Sequence, residues 1–249
     1  MPQHRAENPD RRNTRWEAHR SARRRELLEL VICAVHSHGP DASMDQIADT
    51  AKTSKSILYK YFTDKETLQY AVGCYVIGKI MDDVNDAIES GAVFSEILER
   101  TFASFVKLIS EYTNVYRFMR VAELEDDPSV AGCEYSESSL VEFWSRLFYS
   151  DKAISSHPLY EGTVYMWVIS VIGMVKSVAR VWIKVREITE DPEKFPNSNL
   201  TDGQRNFAQI DQERLTRIFV SAVMYMAEDV TIHTYTEFLW RSDLRGQAQ

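Results

Sequence analysis

The stretch Ser43–Lys65, SMDQIADTAKTSKSILYKYFTDK, limits what this chain can fold into more than any other. It reads as two short helices joined by a tight turn, then the start of a longer helix. Ser43 followed by Gln46 is a capping-box pattern. Met44, Ile47, Ala48 and Ala51 fall at helical spacing and give the first helix one apolar face. Ser54 caps the second. Ile57, Leu58, Phe62 and the ring of Tyr61 are expected to pin that second helix to its neighbours. Thr53, Ser54, Lys55, Ser56, Tyr59 and Lys60 are then left facing out, a short polar, basic and aromatic surface of the kind that suits a DNA major groove.

The motif Ile47, Ala48, Ala51, Ser54, Leu58, Tyr59, Tyr61, Phe62, Lys65 and Leu68 resembles the tetracycline-repressor (TetR) family of bacterial transcriptional regulators. RRELLELVICAVHSHG, Arg24 to Gly39, resembles that family's first helix. Two departures fall in the turn, where Lys52 replaces the usual glycine and Thr53 the usual apolar residue. A left-handed backbone at Lys52 would carry a cost of ~1 kcal/mol or more. The segment Gly39 to Ile47 also reads one residue short. The resemblance implies an all-α protein, with an N-terminal three-helix helix-turn-helix DNA-binding head and a larger helical body for ligand binding and dimerisation.

Composition agrees with a helical chain. Apolar residues make up 44% of its 249 positions, enough for a sizeable core, and no alternating strand-like runs stand out. The formal net charge is −8, but residues 1–65 hold 12 Lys/Arg against 9 Asp/Glu, while residues 66–249 hold 17 against 28. A basic head on an acidic body is compatible with nucleic-acid binding, and the acidic remainder would keep DNA off other faces. Cys33, Cys74 and Cys133 lack paired spacing and are read as buried free thiols. No apolar leader opens the sequence. The longest uncharged apolar stretch, Gly162 to Val175, is short for a membrane span. The expected setting is cytoplasmic, with no membrane.

Three regions follow: a flexible basic arm (1–20), a helix-turn-helix domain (21–65) and a helical effector-binding and dimerisation domain (66–249). The arm is open to two readings, a solvated tail or arginines reaching the minor groove or the phosphates. Trp16 within it is a candidate to pack back on the first helix. That helix is expected over Ser21–His38, with Leu27, Leu28, Val31, Cys33, Ala34 and Val35 inward. Asp64 then caps a long helix to about Ser90, and further helices are expected at Phe94–Ile109, Val115–Leu124, Ser129–Tyr149, 156–187 and Ile210–Leu239. Asp191–Gly203 reads as a loop.

Catalytic motifs are missing from the sequence: no phosphate loop, no HExxH, no nucleophile elbow. The chain is therefore read as not an enzyme, with no cofactor and no metal. His36 and His38 face apart on a helix, Glu125–Asp127 is a solvated acidic turn, and His157 starts a helix. The candidate DNA contacts are Arg20, Arg24, Ser43, Thr53, Lys55, Ser56, Tyr59, Lys60, Tyr61 and Lys65. Thr53, Lys55 and Ser56 are placed at base edges, and Tyr59, Tyr61 and Lys65 at phosphates. Candidates for the wall of an apolar ligand cavity are Phe102, Phe105, Phe118, Phe143, Trp144, Trp167 and Met174. The segment Val171–Val185 is similar to a helix of relatives that sense fatty acyl compounds, so acyl-CoA is one candidate ligand. Broad apolar stripes on the last two long helices imply a four-helix dimer interface.

These readings describe a homodimeric regulator, most simply a repressor, binding a near-palindromic double-stranded operator and released by a small apolar ligand. Two rivals remain. One is a regulator without effector. The other is a helical lipid-binding protein with a vestigial head.

Overall fold

The computed structural model of the chain describes residues 9–119, 137–148 and 158–226. The described residues are helical, without strands. The helices are α1 Pro9–His38, α2 Met44–Thr50, α3 Lys55–Tyr61, α4 Lys65–Glu89, α5 Phe94–Glu111, α6 Thr113–Phe118, α7 Glu137–Phe148, α8 Pro158–Glu190 and α9 Asp202–Ala208, and a run at 212–226 is α10. Glu125–Asp127, Cys133, His157 and the segment beyond 226 lie outside the described residues.

The chain divides into two compact units. Within the described residues, one holds 9–76 and 114–119, and the other 77–113 with everything after. The head is therefore larger than the expected 21–65. It takes the first half of α4 and, from far along the chain, α6. Residues 9–20 are also helical, which corrects the flexible arm: α1 starts near Pro9, not Ser21.

The core of the first unit forms as the apolar spacing requires. Leu27, Leu28, Val31, Ala34 and Val35 of α1 are buried, as are Met44, Ile47 and Ala48 of α2, Leu58, and Leu68, Ala71 and Val72 of α4. Val115, Phe118 and Met119 complete it. Asn114 donates its side-chain amide to the carbonyl of His36, 3.1 Å, tying α6 to the end of α1. Cys33 is exposed and free, and Cys74 is buried in a disulfide, so the expectation of buried free thiols fails at both.

In the second unit Met81, Val84 and Ala87 of α4 pack with Ile97 of α5, and Leu140, Phe143, Trp144 and Leu147 of α7 close over them. Phe102 stacks on Phe219 of α10, ring centroids 5.3 Å apart, and Phe105 meets the same ring edge-on. α8 packs on α5, α7 and α9. Asp191–Gly203 is not all loop: a short 3-10 turn forms, and Thr201 with Gln204 makes a capping box that starts α9. α8 is long and apolar enough to cross a membrane by length and composition, yet one side of it is buried in this unit and it carries Lys176, Arg180, Lys184 and Arg186.

Candidate nucleic-acid interface

The site is built on α2, the turn and α3. Ser43 accepts the backbone N–H of Gln46 at 3.2 Å, and Gln46 Oε1 accepts the N–H of Ser43 at 2.8 Å, the reciprocal cap expected from sequence. Ser43 Oγ accepts in this cap, and its residue stays exposed at the start of α2. Ser54 caps α3 by accepting from Ile57 N–H, 3.2 Å.

Between these caps the turn is a Schellman motif. Thr53 N–H donates to the Ala48 carbonyl at 3.0 Å and Lys52 N–H to the Asp49 carbonyl at 3.2 Å. The geometry demands a left-handed residue, and Lys52 supplies it with φ of 48°. A non-glycine here carries the strain anticipated above. Thr53 stands where a Schellman turn places an apolar contact. Its Oγ1 is buried and meets no hydrogen-bond partner. That hydroxyl cannot reach a base edge, which corrects its proposed role.

α3 is anchored by Leu58 and Phe62, both fully buried. It presents Lys55, Ser56, Tyr59 and Lys60 outward, as the spacing implied. Ile57, expected inward, is 37% exposed. Sequence reasoning missed it because a lone isoleucine between polar residues looks like an anchor. On this surface it can meet a thymine methyl group. Lys55 is held by Asp45 of α2, Nζ to Oδ2 2.8 Å, and that hydrogen bond raises its pKa. The contact fixes where the ammonium stands relative to α3.

Other candidates are partly spent inside the unit. Arg24 is half-buried with its guanidinium over the Phe62 ring, 5.2 Å, and burial lowers its pKa. Lys65 is half-buried. It donates to the Asp41 carbonyl at 3.2 Å and lies 5.8 Å from the Phe118 ring centre. Both also act as struts of the head. Tyr61 is half-buried beside Phe62. Arg20 is exposed at the root of α1's extension. Asp64 caps α4 through Thr67 N–H, 2.7 Å, and that bond draws its pKa below the ordinary carboxylate value.

The cavity candidates do not converge. Phe118 belongs to the first unit and leaves the set. Phe102 and Phe105 face Phe219, Phe143 and Trp144 sit over Met81 and Val84, Trp167 is buried in α8, and Met174 is half-buried. A cavity of about 60 Å³ lies instead between the end of α5 (Ile109, Thr113) and α8 (Trp182, Ile183, Arg186). The Trp182 indole N–H is buried there without an acceptor. Among the described residues no cluster of His, Cys, Asp or Glu could hold a metal.

Two capped helices with a left-handed turn between them, the second exposing a basic polar face, make this a helix-turn-helix DNA-binding protein. Residues 35–72 match the sequence model of a family described as bacterial regulatory proteins, tetR family. Two uncharacterised HTH-type transcriptional regulators of Mycobacterium tuberculosis, from strains CDC 1551 / Oshkosh and ATCC 25618 / H37Rv, are each 25% identical over 184 residues, 73% of this chain and 76% of theirs. The crystal structure of a tetR-family transcriptional regulator from Streptomyces coelicolor superposes with a TM-score of 0.51 at 17% identity, covering 92% of this chain and 99% of that one, and so shares the fold. Residues 35–72 thus carry the helix-turn-helix of the tetR family of bacterial regulatory proteins, and the chain is similar to HTH-type transcriptional regulators over 184 residues.

Proposed function

We propose that this regulator works in the cytoplasm as a homodimeric repressor, reads a near-palindromic operator through α3, and is released by a small apolar ligand. The observation that carries the DNA-reading part is the exposed surface Lys55, Ser56, Ile57, Tyr59 and Lys60 on a helix rigidly capped at Ser54 and anchored by Leu58 and Phe62. Ser56 and Lys55 lie in the first turn, where side chains reach base edges. Tyr59 and Lys60 lie further along, where they reach phosphates.

Dimerisation is supported by apolar side chains that α8 and α10 leave exposed. Tyr165, Met166, Ile169 and Val181 of α8 and Ile218 and Tyr225 of α10 are each more than 40% exposed. A second copy covering both helices would bury them in a four-helix arrangement. Ligand release draws on the aromatic body, with fatty acyl compounds, including acyl-CoA, the favoured class. The scattered packing of the seven candidates favours one rival, a regulator whose body serves dimerisation alone.

The test is selection of random duplexes on the purified protein, followed by mobility shift. Recovery of a two-fold repeat, with half-sites about one helical turn (~34–36 Å) or a multiple apart, is the expected result. Recovery of no preferred sequence would remove the reading. Fatty acids and acyl-CoA thioesters are then titrated into the complex; if none releases it or changes thermal stability, the effector-free rival stands.

A further inference from the structure

Asp45 and Lys55 meet across the turn, 10 positions apart in the chain, with Lys55 Nζ donating to Asp45 Oδ2 at 2.8 Å. The backbone on both sides of this contact is fixed. Asp45 lies between the buried Met44 and the capping-box partner Gln46, and Lys55 directly follows the cap Ser54. The pair itself is open to solvent, with 46% of the lysine side chain and 68% of the aspartate side chain accessible. An exposed ion pair contributes little to stability. The head is held instead by Leu58, Phe62 and its two caps. What the pair decides is where an ammonium stands on the surface of the reading helix.

The carboxylate also decides what that ammonium can bind. A lysine carries three N–H donors, and Asp45 takes one of them. The two that remain match the two acceptors, O6 and N7, on the major-groove edge of guanine. Phosphate is the rival partner. A phosphate oxygen bonded to the same ammonium would lie within about 5 Å of the Asp45 carboxylate, and two like charges at that distance repel. The guanine acceptors carry no formal charge and escape most of that repulsion. Lys52 and Lys60 are also exposed, and neither forms an ion pair with a described residue. Of these three lysines, Lys55 alone carries the bias.

We propose that Asp45 is a positioning residue for sequence readout: it holds Lys55 toward the edge of a guanine and keeps it off the phosphates. The inference rests on the proposed reading of α3. Asp45 acts through Lys55, so α2 takes part in specificity by placing a side chain of α3, besides supporting that helix. Counterion release separates the two states of the lysine. Paired with Asp45 and bonded to a base, it neutralises no phosphate and adds nothing to the salt dependence. Unpaired and bonded to a phosphate, it adds ~0.9 per half-site to the slope of log affinity against log salt.

The experiment measures the affinity of the full chain for its selected operator and for duplexes altered at one base pair at a time in both half-sites. Asp45→Asn, Asp45→Glu, Lys55→Ala and the double variant Asp45→Asn/Lys55→Ala are compared with the wild type. A bidentate contact to guanine discriminates by about 5–150-fold. In Asp45→Asn that discrimination should fall about fivefold or more at one G·C pair of each half-site, and the salt slope should steepen by ~0.9 per half-site. Asp45→Glu, whose carboxylate still reaches the ammonium, should restore both. Lys55→Ala should lose preference at the same base pair, and adding Asp45→Asn to it should change the preference no further. A purely structural tie would change the affinity for every duplex alike. An Asp45→Asn profile that keeps the wild-type preferences therefore overturns the inference while leaving the reading of α3 intact. Preference lost through Asp45→Asn in the Lys55→Ala background as well would mean that Asp45 meets DNA itself, and also overturns it. Failure of the wild type to select any duplex sinks both readings.

Discussion

Thr53→Val tests how the turn is built. The threonine hydroxyl is buried without a partner, and a buried group in that state costs about 1–3 kcal/mol. Valine keeps the branched shape, removes the oxygen, and supplies the apolar contact that a Schellman motif places at this position. The backbone N–H of residue 53 still reaches Ala48. The expected gain is therefore about 1–2 kcal/mol, confined to the head. Hydrogen exchange reports it locally: amides of α2 and α3 that exchange by sub-global opening should slow about 5–30-fold, while those of α8 stay unchanged. Operator affinity at fixed salt should not fall, because the hydroxyl does not reach the surface. A drop in affinity of tenfold or more with an intact head would mean that Thr53 reads a base after all, and exchange as fast as in the wild type would mean that its hydroxyl finds a partner in solution.

Phe118→Ala should cost about 3–5 kcal/mol, and faster exchange in α1 and the start of α4 would place that loss in the head, although residue 118 lies far along the chain. Asp64 has a depressed pKa in the folded state, so its contribution is complete above the ordinary carboxylate pKa and disappears as pH falls through the lower folded value. Asp64→Asn keeps a cap that does not titrate, and the acid limb of denaturation should lose that component, whereas Asp64→Ala should cost ~1 kcal/mol at neutral pH. Ile169→Glu with Ile218→Glu places charge on the exposed stripes of α8 and α10 and should give a monomer by light scattering; a dimer at micromolar concentration would move the interface elsewhere.

Local chemistry was legible in the sequence, and long-range partition was not. Ser43, Gln46, Ser54 and Asp64 could be read as caps because a cap depends on residues three positions apart. The buried face of α2 followed from periodicity for the same reason. α6 could not be assigned to the head, since nothing in Val115, Phe118 and Met119 says which core they enter. Only the fold brings Asn114 to His36, 78 positions away. The packing of Arg24 over Phe62 and of Lys65 near Phe118 was not legible either, because sequence does not show which ring a cation lies against. Ile57 and Cys33 failed as apolar residues assigned inward that the helix turns out. The aromatic body was read as one cavity wall because composition counts rings, whereas packing distributes them.

That distribution bears on how a ligand could release DNA. Moving the head from about 99% DNA-competent to 1% requires a preference of about 10⁴, or ~5.5 kcal/mol, for the non-binding conformation. A cavity of about 60 Å³ is far below the ~300 Å³ at which ligand pockets begin. An acyl chain entering at this cavity must therefore part α5 from α8, so that binding and opening become one event and the preference arises from it. Each buried methylene supplies ~0.8 kcal/mol, so about seven are needed to reach 5.5. A series of saturated fatty acids titrated into the protein–operator complex should thus show a threshold. Chains with fewer than about seven buried methylenes should leave DNA bound, and each further methylene should lower the releasing concentration about fourfold until the opened space is filled. Release that is equally efficient with four-carbon and sixteen-carbon chains would show that opening is not driven by apolar burial, and flat stability across the whole series would leave dimerisation as the body's work.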